Sequence, residues 1–107
     1  MSYMFYDCSS LKELNINNFN TNNVTDIYCM FRGMSSLKEL NLNYFNTNNE
    51  TGVDFMFSGC SSLKELNLSN FNTNNVTKMS GLFGGCSEEL RMKIKATNKN
   101  IKEEAFK

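Results

Sequence analysis

Apolar and polar positions alternate along this chain in a block that returns at a fixed interval. LKELNINNFNTNNVTD at 11–26 comes back as LKELNLNYFNTNNETG at 37–52 and again as LKELNLSNFNTNNVTK at 63–78, a period of 26 residues with no insertion or deletion. The other half of each unit repeats as MSYMFYDCSS, IYCMFRGMSS, VDFMFSGCSS and MSGLFGGCSE, beginning at 1, 27, 53 and 79. A unit this short cannot bury its own apolar face, so the repeat predicts units that stack and share one core.

Each unit carries L-x-x-L-x-L, as in Leu11, Leu14 and Ile16. The period-2 pair Leu14/Ile16 predicts a short strand with one buried face. Strands are expected near 13–17, 39–43 and 65–69. The Asn-rich stretch at 19–23 predicts a turn, because Asn side chains bond to nearby backbone and tolerate left-handed φ. Val24, Ile27, Met30 and Phe31 then share one face of a short helix or 3₁₀ segment, with Asn23 or Thr25 at its start. The expected fold is an α/β repeat solenoid, leucine-rich-repeat-like, of about four stacked 26-residue coils with a short parallel sheet, helical or 3₁₀ turns and a C-terminal cap. Residues 1–87 would form the array and 88–107 the capping segment. Stacking would put Phe5, Phe31, Phe57 and Phe83 in one column, Phe19, Phe45 and Phe71 in another, and Met4, Met30, Met56 and Leu82 in a third.

After Ser87 the motif fails, but its phase extends to Met92 and Ile94, and Leu90 to Ala96 alternates apolar and basic residues. The alternation favours a fourth strand at 91–95. The rival is a helix started at Ser87, with Glu88 and Glu89 in its first turn and Leu90 and Ile94 one turn apart. Asn100-Ile101-Lys102-Glu103 has a capping-box pattern. The N-terminal coil carries no such signal. Its open edge predicts weak self-association that buries Met1, Met4, Phe5 and Leu11.

Composition narrows the function. Eleven basic and eleven acidic residues leave the 107-residue chain neutral, which gives no electrostatic case for nucleic acid or an anionic membrane. No apolar run is long enough to span a bilayer, and the start lacks the pattern of a signal peptide. The sequence contains no His, and so lacks the commonest general base and metal ligand. Its Lys, Glu and Cys sit in repeated positions rather than in one convergent set, so the chain is expected not to be an enzyme and to hold no metal or cofactor. Cys8, Cys60 and Cys86 share one phase of the repeat, with Met34 in the same slot, while Cys29 stands apart. A Cys60–Cys86 disulfide is sterically conceivable; buried free thiols are the favoured reading.

The segments MSYMFYDCSSLKELNINNFNTNNVT, CMFRGMSSLKELNLNYFNTN and FMFSGCSSLKELNLSNFNTNNVT resemble the short-period branch of the BspA-like leucine-rich repeat family, over residues 1 to about 87. Met34, Asp7 and Glu50 depart from the Cys, Gly and Val of that motif. The resemblance implies a bacterial surface or secreted repeat protein, of a kind that includes adhesins for host or matrix proteins.

The outward strand positions form ladders: Glu13, Glu39 and Glu65; Asn15, Asn41 and Asn67; Asn17, Asn43 and Ser69. Lys12, Lys38 and Lys64 flank them. The plainer and weightier reading is a solvated sheet face with Asn side chains bonded along the ladder. The functional reading is a concave surface for a protein or glycan ligand, host-derived in the family it resembles. On that reading the chain is a binding module; the alternative is a spacer segment of a longer rod with no ligand of its own.

Overall fold

The computed structural model describes residues 5–14, 27–42, 52–68, 76–97 and 101–107. Its organising feature is a set of tight turns over 28–33, 54–59 and 80–85, with an equivalent turn at 5–7. Backbone donors in each turn alternate between two destinations. Met30, Arg32 and Met34 donate backward within the turn, to Ile27, Cys29 and Phe31 carbonyls, at 3.2–3.3 Å. Cys29, Phe31 and Gly33 donate forward to the next unit, to the Asp54, Met56 and Ser58 carbonyls, at 3.0, 3.0 and 2.8 Å. The same forward bonds recur from Phe55, Phe57 and Gly59 to Ser80, Leu82 and Gly84. Buried backbone groups are thereby paired without a helix or a ladder of strands.

This geometry needs left-handed backbone twice per turn. Cys29, Phe55 and Gly81 sit at φ of 58°, 59° and 61°, and Asp7, Gly33, Gly59 and Gly85 at 57° to 82°. Left-handed φ interrupts an α-helix. The short helix or 3₁₀ segment expected in each unit is therefore replaced by turns wherever the unit is described.

The buried face of the turns is the core. Phe31, Phe57 and Phe83 are fully buried, together with Met30, Met56 and Leu82. The Phe5, Phe31, Phe57 and Phe83 rings stack in one column, at centroid spacings of 5.6, 5.7 and 5.6 Å and interplanar angles of 2°, 2° and 5°. Phe106 adds a fifth ring, 5.6 Å from Phe83 and tilted by 26°. It is carried by a 3₁₀ turn, Glu103–Phe106, whose Glu104 and Ala105 carbonyls accept from Gly81 and Phe83. Phe106 follows Phe83 by 23 residues rather than 26, so the sequence periodicity does not reveal it. Asn100 of the expected capping box lies outside the described residues, and the residue preceding the 3₁₀ turn, Lys102, makes no side-chain capping bond.

The sheet is small. Strand β1 (Glu39–Asn41) pairs in parallel with β2 (Glu65–Asn67), with Glu39 opposite Glu65, Leu40 opposite Leu66 and Asn41 opposite Asn67. The expected fourth strand does not form. Residues 88–97 are an α-helix, α1 (Glu88–Thr97). The Ser87 hydroxyl accepts the Leu90 amide at 3.2 Å, Glu88 and Glu89 occupy the first turn, and Lys95 lies in the last, as the helix dipole favours. Leu90 and Ile94 are buried four residues apart, whereas Met92 is 63% exposed; an in-register strand would have turned all three inward.

The expected α/β solenoid of about four stacked coils is accordingly corrected. The described residues make a compact body of 29 × 29 × 19 Å with one α-helix and one two-stranded parallel sheet. The fourth unit breaks off at the Ser87 cap. Of the first expected strand, Glu13 and Leu14 carry no strand structure and 15–17 lie outside the described residues. Met1, Met4 and the column Phe19, Phe45 and Phe71 also lie outside them. No helix among the described residues is long and apolar enough to cross a membrane.

Candidate functional site

Parallel pairing in register makes the strand face a ladder. Glu39 and Glu65 are neighbours on it, as are Asn41 and Asn67, and all four are exposed. Leu40, between Glu39 and Asn41, turns inward and is 3% exposed. Beyond the strand ends, the Leu42 amide donates to the Asn67 carbonyl at 3.2 Å and the Lys64 amide to the Lys38 carbonyl at 2.8 Å, which fixes the register at both ends.

Helix α1 walls this face on the β2 side. Lys93 reaches from the helix to Glu65 at 3.9 Å and to Glu89 at 3.6 Å. The space between strands and helix is a groove of about 1550 Å³, lined by Glu13, Glu39, Asn41, Glu65 and Asn67 together with Lys64, Lys93, Ile94 and Thr97. Of the residues expected on the strand face, Glu13, Glu39, Asn41, Glu65 and Asn67 thus come together on one groove, and Asn15, Asn17, Asn43 and Ser69 lie outside the described residues. Among the described residues, no group of three or more carboxylates or thiols is placed to hold a metal ion.

The sequence favours a strand at 91–95 and offers this helix only as the rival, so Lys93, Ile94 and Thr97 are not among the residues expected at the site. The signal for the helix is a capping Ser87, acids directly after it, and two apolar residues four apart. Arg91 pins the far side of the helix through a 3.2 Å bond to the Phe106 carbonyl, and Lys95 lies 4.7 Å over the Phe106 ring. The wall is therefore tied to the same ring column that forms the core.

Two of the thiols, Cys60 and Cys86, are chemically quiet. Cys8, Cys29, Cys60 and Cys86 are all free. Cys60 and Cys86 donate to the Phe31 and Phe57 carbonyls at 3.2 and 3.3 Å. Burial, reinforced by the neighbouring Cys86, pushes the Cys60 thiol up to about 12. Burial likewise raises Cys86, to about 11, against the opposing pull of a backbone bond and of Arg91. Neither offers a thiolate nucleophile near neutral pH.

No curated protein and no solved structure matches the chain. A match to one protein family extends over residues 1–105, nearly the whole sequence. The chain therefore belongs to the family described as Mycoplasma protein of unknown function, DUF285.

Proposed function

We propose that the protein is a non-enzymatic binding module that offers its strand-face groove to a protein or glycan ligand. The observation that carries this reading is the exposed ladder of Glu39/Glu65 and Asn41/Asn67, repeated in register although packing does not require it. Asn amides both donate and accept, and carboxylates accept, so the ladder can bond to hydroxyls or to peptide amides. The likeness of the repeat motif to BspA-like proteins supports a surface or secreted location and a host or matrix partner. The absence of His and the dispersal of Lys and Glu along ladders support a role without catalysis.

A second reading is favoured by the ring column: identical turns stack well for reasons of packing alone, as a spacer would require. Surface plasmon resonance against a panel of extracellular-matrix proteins and glycans separates the two. The binding-module reading expects at least one immobilised probe to retain the native chain and to lose the Glu39→Lys/Glu65→Lys variant. Retention unaffected by the variant would remove the groove from the reading, and no retention on any probe would favour the spacer.

A further inference from the structure

The repeat itself marks a second surface. Core positions are almost invariant from unit to unit, so exposed positions that break the repeat are not dictated by packing. On the outer side of the turns, the position of Arg32 is Tyr6 in the preceding unit and Ser58 and Gly84 in the following ones. The position of Phe55 is Cys29 before it and Gly81 after it. These two unique residues meet. The Arg32 guanidinium carbon lies 5.2 Å from the Phe55 ring centroid and 6.0 Å from that of Tyr6.

The arrangement is built rather than incidental. Phe55 holds φ of 59°, which bulky residues rarely adopt. Its ring lies over Gly81, where an added Cβ would stand 2.5 Å from Cε1. Glycine at 81 therefore leaves the room that the ring occupies. Tyr6, Tyr28 and Phe55 remain 41%, 37% and 38% exposed. A guanidinium drawn to ring faces by its charge uses none of its N–H donors on them. Among the described residues those donors have no hydrogen-bond or ion-pair partner, although Asp7 and Asp54 flank the rings in sequence. The Asp54 carboxylate instead accepts the Ser80 amide at 2.7 Å.

We propose that Arg32, held beside the Tyr6 and Phe55 rings, is a binding site for a carboxylate-bearing sugar of an acidic glycan. A guanidinium with its N–H donors unspent matches a carboxylate bidentately. The exposed parts of the rings offer apolar surface to the C–H face of a pyranose, which needs no pocket. A peptide anchor, by contrast, gains its affinity in a well-packed, desolvated pocket, and none of these residues lines the groove on the strand face.

The test uses the full chain and isothermal titration calorimetry with a hyaluronan hexasaccharide, 3′-sialyllactose, a neutral chitin hexamer and hexaglutamate. The expected result is binding of one or both acidic sugars, with the chitin hexamer and hexaglutamate weaker. Arg32→Gln should weaken sugar binding by roughly tenfold or more, as loss of a charged hydrogen-bonding partner implies. Arg32→Lys should rescue it only in part, since an ammonium keeps the charge but not the fork. Phe55→Ala should weaken it with an unchanged response to salt. Thermal melting verifies that each variant is folded. Absence of millimolar binding to both acidic sugars overturns the proposal, as does an unchanged affinity in folded Arg32→Gln. Tighter binding of hexaglutamate than of either sugar also overturns it, in favour of an acidic protein segment.

Discussion

In the turns, Phe31, Phe57 and Phe83 recur at one spacing and are sealed from solvent; on the strands, Glu39 and Glu65 recur at the same spacing and face it. Burial accounts for the first repetition. Each ring stacks on another ring above and below, and a smaller residue in one unit would leave a void against the next. It does not account for the second, since adjacent like charges on parallel strands repel. One region repeats because its neighbours demand it, and the other repeats despite its neighbours. The contrast separates what holds the molecule together from what is available for a partner.

The sharpest way to break this comparison is to remove a central ring. Phe57→Ala should lower stability by about 3–5 kcal/mol, the range for a large aromatic replaced in a packed core. That is a large share of the roughly 5–15 kcal/mol that holds a domain of this size folded. A urea midpoint that stays where the native protein has it would show that the column is not the core.

The thiols test the same region by pH. In the folded protein Cys60 and Cys86 keep their protons up to about 12 and 11, while in the unfolded chain they release them near the ordinary 9.0. Below that value both states hold the protons and these thiols make no contribution to pH dependence. Above it the unfolded state binds fewer protons, so stability falls as pH rises, and the fall ends as the folded thiols themselves ionise. At pH 10 the two together should have removed about 2–3 kcal/mol. Urea titrations at pH 8 and pH 10 measure the difference, and a Cys60→Ala/Cys86→Ala variant should lose that part of it. An identical alkaline slope in the variant would place the loss elsewhere.

What the sequence made legible follows the same division. The phase of the repeat was enough to place Phe5, Phe31, Phe57 and Phe83 in one column, because a buried position imposes the same residue on every unit. It also placed Glu39 beside Glu65 and Asn41 beside Asn67. It failed where the chain leaves the phase. Extended to Met92 and Ile94, the phase predicts a strand where a capped helix forms, because alternation over seven residues imitates a strand while the Ser87 cap starts a helix. It also failed within the turns, where apolar spacing suggested a helix although Cys29 and Phe55 take left-handed φ that their residue types do not advertise. Arg32 and Phe55 pass unnoticed in a repeat alignment, since they differ from their equivalents and only their three-dimensional contact gives the difference meaning.

Ser87→Ala sharpens the boundary between repeat and helix. With the Leu90 amide bond lost, stability should drop by about 1 kcal/mol and the helical circular-dichroism signal should weaken. In a strand the same substitution would leave both nearly unchanged. The helix also carries Lys93, so a frayed first turn should loosen the groove wall before it loosens the ring column. Hydrogen exchange should report faster opening of the 91–94 amides than of Phe57 and Phe83.

The smallest expected effect is the most informative about the strand face. Glu39 sits in register beside Glu65, and Lys93 pairs with Glu65. Glu39→Gln keeps the shape and hydrogen-bonding capacity of the side chain while removing one of two adjacent like charges. It should leave the fold intact and raise stability slightly, by at most about 0.5 kcal/mol, with the gain shrinking as salt screens the pair. Denaturation of the native and Glu39→Gln proteins at low and high salt gives the comparison directly. A clear loss of stability on removing the charge would mean that Glu39 is held by an attractive contact within the molecule. The face would then repeat for the same reason as the turns, and its carboxylates would not stand ready for a partner.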